Sequence, residues 1–375
     1  MFYSSMIVEI ISEYKDILGN EGIDKKLEKL NIQESEKRLA RNLRAMDIIK
    51  YFLIDSNDSL STNPVYGAFL NEFIIPAIGN QYVAIQKAGL NCLGLLALLD
   101  QEIAKEYIHV FANIFKMSKD DEIKQEAVKI LFDLVLVFGK DFVDSVLQGH
   151  EFPQVIKILF SALGSQAIQS TASEGLCKLF AVQMIDNPEI LVELLYLYYH
   201  PKTESKNELR QHLGFFLNAY SVFSVENQMV LAKSTVPFLV RIFPKLQTMT
   251  PLKVAQQLFF WADSSNLLKP ETKQDSHSLI ALDLCFGILS SDKSDITRFL
   301  ASLLPKLHLD LSWDLLVVKK LMFLSSHLVR VISDKVSVNN IKKFGSFLME
   351  IDGSNEPMEK EELDLLKQKI QLESK

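Results

Sequence analysis

The sequence predicts an all-α protein in which helix pairs stack in series as an α-solenoid, and three observations predict it. Turn-forming residues are scarce: there are 14 glycines and 11 prolines in 375 residues, glycine standing near half its average usage of about 7%. Apolar residues recur at helical rather than strand spacing. An aliphatic residue followed four positions later by a small or apolar one returns at a nearly regular interval. Few tight turns argue against sandwiches, barrels and glycine-looped nucleotide folds. With 48% hydrophobic and 23% charged residues, the chain is too apolar for disorder and too interrupted by charge for a membrane bundle.

Taken in order, Ile7, Ile10, Ile11, Tyr14, Ile17 and Leu18 predict an amphipathic helix over 1–18, ended by Gly19-Asn20. Residues 19–64 are dense in charge, 14 of the 32 from Gly19 to Lys50, and read as a weakly held connector, partly helical and partly disordered, rather than as core. From 65 to 351 the pattern is of paired helices: 66–78 with 81–99, 101–116 with 122–138, 152–163 with 166–182, 188–199 with 206–223, and 226–243 with 251–262. Further helices are expected over 275–289, 292–304, 311–332 and 341–351. The second helix of each pair carries Ile85/Gly89, Ile123/Ala127, Ile168/Ala172, Leu209/Leu213 and Val254/Leu258. The first members recur at intervals of 38, 45, 41 and 45 residues, the range of HEAT and armadillo repeats, about 40–47 give or take a loop. Small residues there let neighbouring helices approach closely. The tail over 352–375 has a narrow apolar stripe (Leu363, Leu366, Ile370) and reads as a frayed or partner-induced helix.

The net charge is −7, so contact with nucleic acid has to come from local basic patches. Cys92, Cys177 and Cys285 lie far apart, without a C-x-x-C pair, and read as reduced, buried thiols. The N-terminus lacks the pattern of a signal peptide, and apolar runs such as 93–99 fall far short of the ~20 residues of a membrane span. A soluble, intracellular protein is expected, with no membrane partner.

Catalytic signatures are absent from the sequence: it has no G-x-G-x-x-G, no G-x-x-x-x-G-K-[ST], no H-E-x-x-H and no G-x-S-x-G. The seven histidines form no i,i+3 or i,i+4 pair, which argues against a metal site. Cys177, with Leu176 and Leu179 beside it, reads as core rather than as a nucleophile. No catalytic residue, cofactor, metal or small-molecule substrate is therefore expected. Basic residues cluster at Arg38 and Arg41 (with Lys37 and Arg44), at Lys202, Lys206 and Arg210, at Lys319 and Lys320, and at Lys342 and Lys343. Each is a candidate contact to a DNA backbone and equally a solvated helix face. Tyr196, Tyr198 and Tyr199 end a helix beside His200-Pro201 and could dock an extended peptide, or pack between repeats. Thr250-Pro251-Leu252-Lys253 holds the sole Ser/Thr-Pro dipeptide. It is an N-cap followed by a first-turn proline, and also a candidate phosphosite.

Two stretches resemble a known family. Asn91-Cys-Leu-Gly-Leu-Leu-Ala-Leu-Leu-Asp100 through Glu106 is similar to a helix and turn in the C-terminal region of the CAP-G family, HEAT-repeat proteins of the condensin complex. Asn207-Glu-Leu-Arg-Gln through Phe216 and Tyr220, then Glu226-Asn-Gln228 to Pro237, resembles a second stretch of it. The resemblance spans most of residues 5–260. It implies a non-catalytic subunit, located in the nucleus and on chromosomes and also in the cytoplasm outside mitosis. Such a protein binds a segment of the kleisin subunit, reaches the SMC subunits indirectly, and helps bind double-stranded DNA without sequence preference. It further implies mitotic control. The family's long N-terminal HEAT arm is missing, so a C-terminal fragment or a shortened member is expected. The alternative is a protein-only HEAT adaptor of the nuclear-transport or vesicle-coat kind that binds extended peptides.

Overall fold

The computed structural model describes residues 32–56, 58, 63–146, 152–246, 250–269, 276–308, 313–352 and 358–373. The expected helix over 1–18 lies outside them. Every regular element among the described residues is helical, and the chain divides into two compact units, 1–179 and 180–375. In the first unit α1 (Ile32–Ile54) packs on α4 (Val83–Leu99). Between them run α2 (Val65–Ala68), a π-helical turn (Phe69–Ile74) and α3 (Ile75–Ile78). α5 (Gln101–Met117) pairs with α6 (Asp121–Val146), α4 packs on α6, and α6 is followed by α7 (Phe152–Ser161) and α8 (Gln169–Ala181). The helix expected to end at Phe138 does so: Gly139 takes φ 79°, outside the helical region and open to glycine without strain. A second helical segment follows it within α6.

The second unit holds α9 (Pro188–Tyr199), α10 (Asn207–Phe223), α11 (Val225–Ile242), α12 (Pro251–Ala262) and α13 (Ser276–Leu289). It continues with α14 (Ser294–Leu303), α15 (Leu315–Val331), α16 (Lys335–Ile351) and α17 (Lys360–Glu373). α9, α11, α13 and α15 pack on one another in succession, while α10 contacts α12 and α14 contacts α16. Alternate helices thus stack on the helix two along, as in paired-helix repeats.

The recurring pairs explain this stacking. Ile85, Gly89, Ile123, Ala127, Ile168, Ala172, Leu209, Leu213, Val254 and Leu258 are all buried. A Cβ on Gly89 would stand 2.9 Å from the Ala77 Cβ and 3.0 Å from the Ile78 backbone nitrogen, so the close approach there needs glycine. Polar bonds tie successive second helices: Asn91 Nδ2 donates to the buried Glu126 at 3.0 Å, and Gln125 Nε2 to Thr171 Oγ1 at 2.8 Å.

Two expectations are corrected. The charged connector is, over its described part, the helix α1, whose Ala45, Met46, Ile49 and Leu53 are buried. Its charge lies on the outward side of an otherwise apolar stripe. The tail is likewise a docked helix. Leu366 and Ile370 of α17 are buried, Lys369 lies 4.1 Å over the Phe286 ring of α13, and Glu362 pairs with Lys320 at 2.7 Å.

Candidate functional site

The C-terminal end of α9 gathers both the aromatic run and the best-placed basic cluster. α9 stops at Tyr199 because Pro201 cannot continue its hydrogen bonding, and His200 leaves in an extended conformation. The His200 Nδ1 accepts the Lys202 N–H at 3.0 Å, capping a 3₁₀ turn, Pro201–Thr203. The buried Thr203 Oγ1 donates to Leu197 O at 2.6 Å and to His200 O at 2.8 Å. Arg210, one turn into α10, donates from Nη2 to His200 O at 2.8 Å. The corner is therefore fixed by bonds from both flanking helices.

The next repeat completes it. Arg241, near the end of α11, pairs in a fork with Glu193, Nη1 on Oε1 and Nη2 on Oε2 at 3.0 Å. Its guanidinium lies 4.1 Å over the Tyr196 ring, and that ring stands 4.7 Å from His200. Such forks and stacks fix a guanidinium in orientation as well as in place. Burial, then the charges of Lys202, Lys245, Arg210 and Arg241, hold the His200 imidazole below its ordinary value. A neutral ring thus sits among four cations, and Glu193 offsets the charge of Arg241. The buried Nε of Arg210 has no hydrogen-bond partner among the described residues. Arg241 and Lys245 were missed in the sequence, where they lie one repeat away from Tyr196.

The other candidates are dispersed. Lys202 is exposed and Lys206 half-buried. Tyr198 is half-buried against Gly214 and 6.4 Å from the Trp261 ring. Tyr199 is a core residue: its hydroxyl donates to Gln257 Oε1 at 2.8 Å, and burial pushes the phenol above its ordinary value. A docking role for Tyr199 is thereby corrected, since the ring is closed off between helices. Lys319 and Lys320 are half-buried on α15, Lys320 being held by Glu362 of α17. Lys342 and Lys343 are exposed on α16, Lys343 beside the Phe347 ring. Arg38 is half-buried and Arg41 exposed on α1, in the other unit. Thr250 is exposed, and its Oγ1 accepts the Lys253 N–H at 3.4 Å.

The cysteines are buried thiols; burial pushes Cys92 and Cys285 up to about 12 and Cys177 higher still, unlike activated nucleophiles. Among the described residues no group of three His, Cys, Asp or Glu is placed to hold a metal ion, and no helix is long and apolar enough to cross a membrane.

Comparison with known proteins adds a family. The model of nuclear condensing complex subunits, C-terminal domain, matches residues 44–309, which take in the whole corner at His200. The chain belongs to this family. Condensin complex subunit 3 of Saccharomyces cerevisiae is 25% identical over 88% of this chain and 34% of its own length. The Homo sapiens protein of that name is 25% identical over 85% of this chain and 35% of its own length. The chain thus spans about a third of the curated relatives it matches. The crystal structure of the S. pombe condensin Cnd3-Cnd2 subcomplex covers 93% of this chain and 46% of its own, with a TM-score of 0.78 and 23% identity. The fold of this condensin family member is accordingly the all-α HEAT-repeat type that the sequence predicted.

Proposed function

We propose that the chain is a non-catalytic HEAT-repeat component of condensin, of the CAP-G kind, acting in mitotic chromosome condensation. In this reading it holds a segment of the kleisin subunit, meets the SMC subunits through it, and adds sequence-independent contacts to double-stranded DNA in the nucleus and on chromosomes. The observation that supports it is the convergence of Lys202, Arg210, Arg241 and Lys245 on one rigid corner inside the family-matched stretch. Sequence-independent binding needs only such cations held along a surface to neutralise phosphates and release counterions. A net charge of −7 makes the patch, not the whole surface, responsible.

The test is the affinity of the purified chain for short DNA duplexes of unrelated sequence across a salt series. The reading expects similar affinity for each duplex and a log–log slope of a few units, about 0.9 per neutralised phosphate. Absence of measurable binding at low salt would remove the DNA part and favour the protein-only adaptor.

A further inference from the structure

The second unit carries a surface that the basic corner does not explain. Along α10, Glu208, Gln211, Phe215, Ala219 and Phe223 are exposed and follow at three- and four-residue spacing, on one side of the helix. Gln256 and Phe260 are exposed on α12, and Leu268 lies beyond its end. Phe215 is 79% exposed, Phe223 and Phe260 61%, and Leu268 71%. The Trp261 Nε1 of α12 donates to Asn218 Oδ1 of α10 at 2.9 Å, and the Leu268 N–H to Val222 O at 2.9 Å. Those two bonds set the rows side by side and running in the same direction. Three phenylalanines and a leucine thus face water together, and contiguous apolar patches of this kind mark interaction sites.

The charges at the rim decide what the patch fits. Glu208 stands where α10 begins and Glu226 just past its end, whereas Lys253 stands where α12 begins and Lys269 follows Leu268. All four are exposed, and none is ion-paired among the described residues. One row is therefore capped by acids and its neighbour by lysines, with Phe, Ala, Asn and Gln between them. An occupant must carry bases over α10, acids over α12 and an apolar middle. The face itself, turned over, has that pattern.

We propose that the α10–α12 face is a self-association surface covered by a second copy of this chain, about a two-fold axis lying between the two rows and along them. Rotation about that axis lays α10 of one copy on α12 of the other, both running the same way. Phe215 and Phe223 then meet the row of Phe260 and Leu268, Glu208 meets Lys253 of the second copy, and Glu226 meets its Lys269. Every contact occurs twice, as an isologous interface requires. The other face-to-face axis, across the rows, would set Glu208 on Glu226 and Lys253 on Lys269, and like charges so placed oppose association. Charge thus selects one arrangement, while the aromatic centre, free of ionised groups, supplies the adhesion.

The experiment is sedimentation equilibrium on the full chain alone, over about 1–100 µM. The proposal expects a monomer–dimer equilibrium in that range. Glu208→Lys/Glu226→Lys makes all the charge pairs repulsive and should weaken dimerisation at least about tenfold. Lys253→Glu/Lys269→Glu should do the same. An equimolar mixture of those two variants restores every pair, as does the variant with all four substitutions, and both should dimerise like the parent. Phe215→Ser/Phe260→Ser should lose the dimer at least as fully, with its charges intact. Glu208 and Glu226 lie in the first turns of helices, where reversal also weakens the helix. Should that variant melt early, the lysine and phenylalanine variants carry the comparison. A parent that stays monomeric throughout overturns the proposal and leaves the face to a different chain. A dimer indifferent to these variants forms elsewhere and overturns it too. If both reversals weaken the dimer and their mixture fails to restore it, the copies do not meet in this register, and the proposal falls.

Discussion

Thr250 Oγ1 accepts the Lys253 N–H at the start of α12, so Thr250→Ala should lower stability by about 1 kcal/mol while Thr250→Asp keeps the cap. Paired urea melts of the two variants against the parent check this, and equal losses would show that the cap is irrelevant. A phosphate there would meet free N–H groups at the helix start rather than unfold it. His277 makes a second residue-scale prediction. It is buried, Nε2 lies 2.9 Å from Phe259 O, and Nδ1 accepts the His308 N–H at 2.9 Å, so the ring must be neutral. Burial above all holds it below its ordinary value, although the Phe259 carbonyl and Asp263 favour the charged form. The unfolded chain therefore takes up the proton more readily, and stability falls as pH drops through the ordinary histidine range near 6.5. His277→Gln should melt with a shallower dependence between about pH 7.5 and 5.5 than the parent; identical slopes would exonerate the ring. The Thr250 cap was legible because a cap is local, Thr before Pro. The Arg241–Tyr196 stack was not, because its partners lie one repeat apart and nothing in either segment encodes their meeting.

At the scale of helices, the recurring small residues were readable because close helix approach tolerates few side chains. Gly89→Ala would drive a methyl to within 3.0 Å of backbone at Ile78, and Ala127→Phe would insert a ring at a fully buried site. Each should cost about 1–3 kcal/mol, read as an earlier thermal transition with unchanged helical signal. A melting temperature equal to the parent's would refute the repeat register. Helices α1 and α17 were harder to read for one physical reason. Their apolar stripes are only a few residues wide, and charge on the remaining faces masks them, although Ala45, Met46, Ile49 and Leu53 bury as firmly as any core residue. Composition averages over a helix, whereas packing needs only one side of it.

Across the whole molecule, an acidic chain that meets a polyanion must do so through a few fixed cations. Reversing Lys202, Lys206 and Arg210 to glutamate should weaken duplex binding to the same degree for every sequence and flatten the salt slope by about one unit for each phosphate no longer neutralised. Unaltered affinity of the triple variant would clear this corner of any role. The repeat order was visible in the sequence, but which basic groups share a corner was not, since that depends on how successive helices stack. The Asn91–Glu126 bond between α4 and α6 bears on how such stacking is kept faithful during folding. Helices that are alike from repeat to repeat could slide past one another by a turn, about 5.4 Å, and still present apolar surface to apolar surface. A slide of that size would part the Glu126 carboxylate from the Asn91 amide and leave a largely covered acid without that partner, at a cost of about 1–3 kcal/mol. One buried acid thereby works as a proofreading tooth, letting the correct alignment lock and ejecting the near-miss before the rest of the array can build on it.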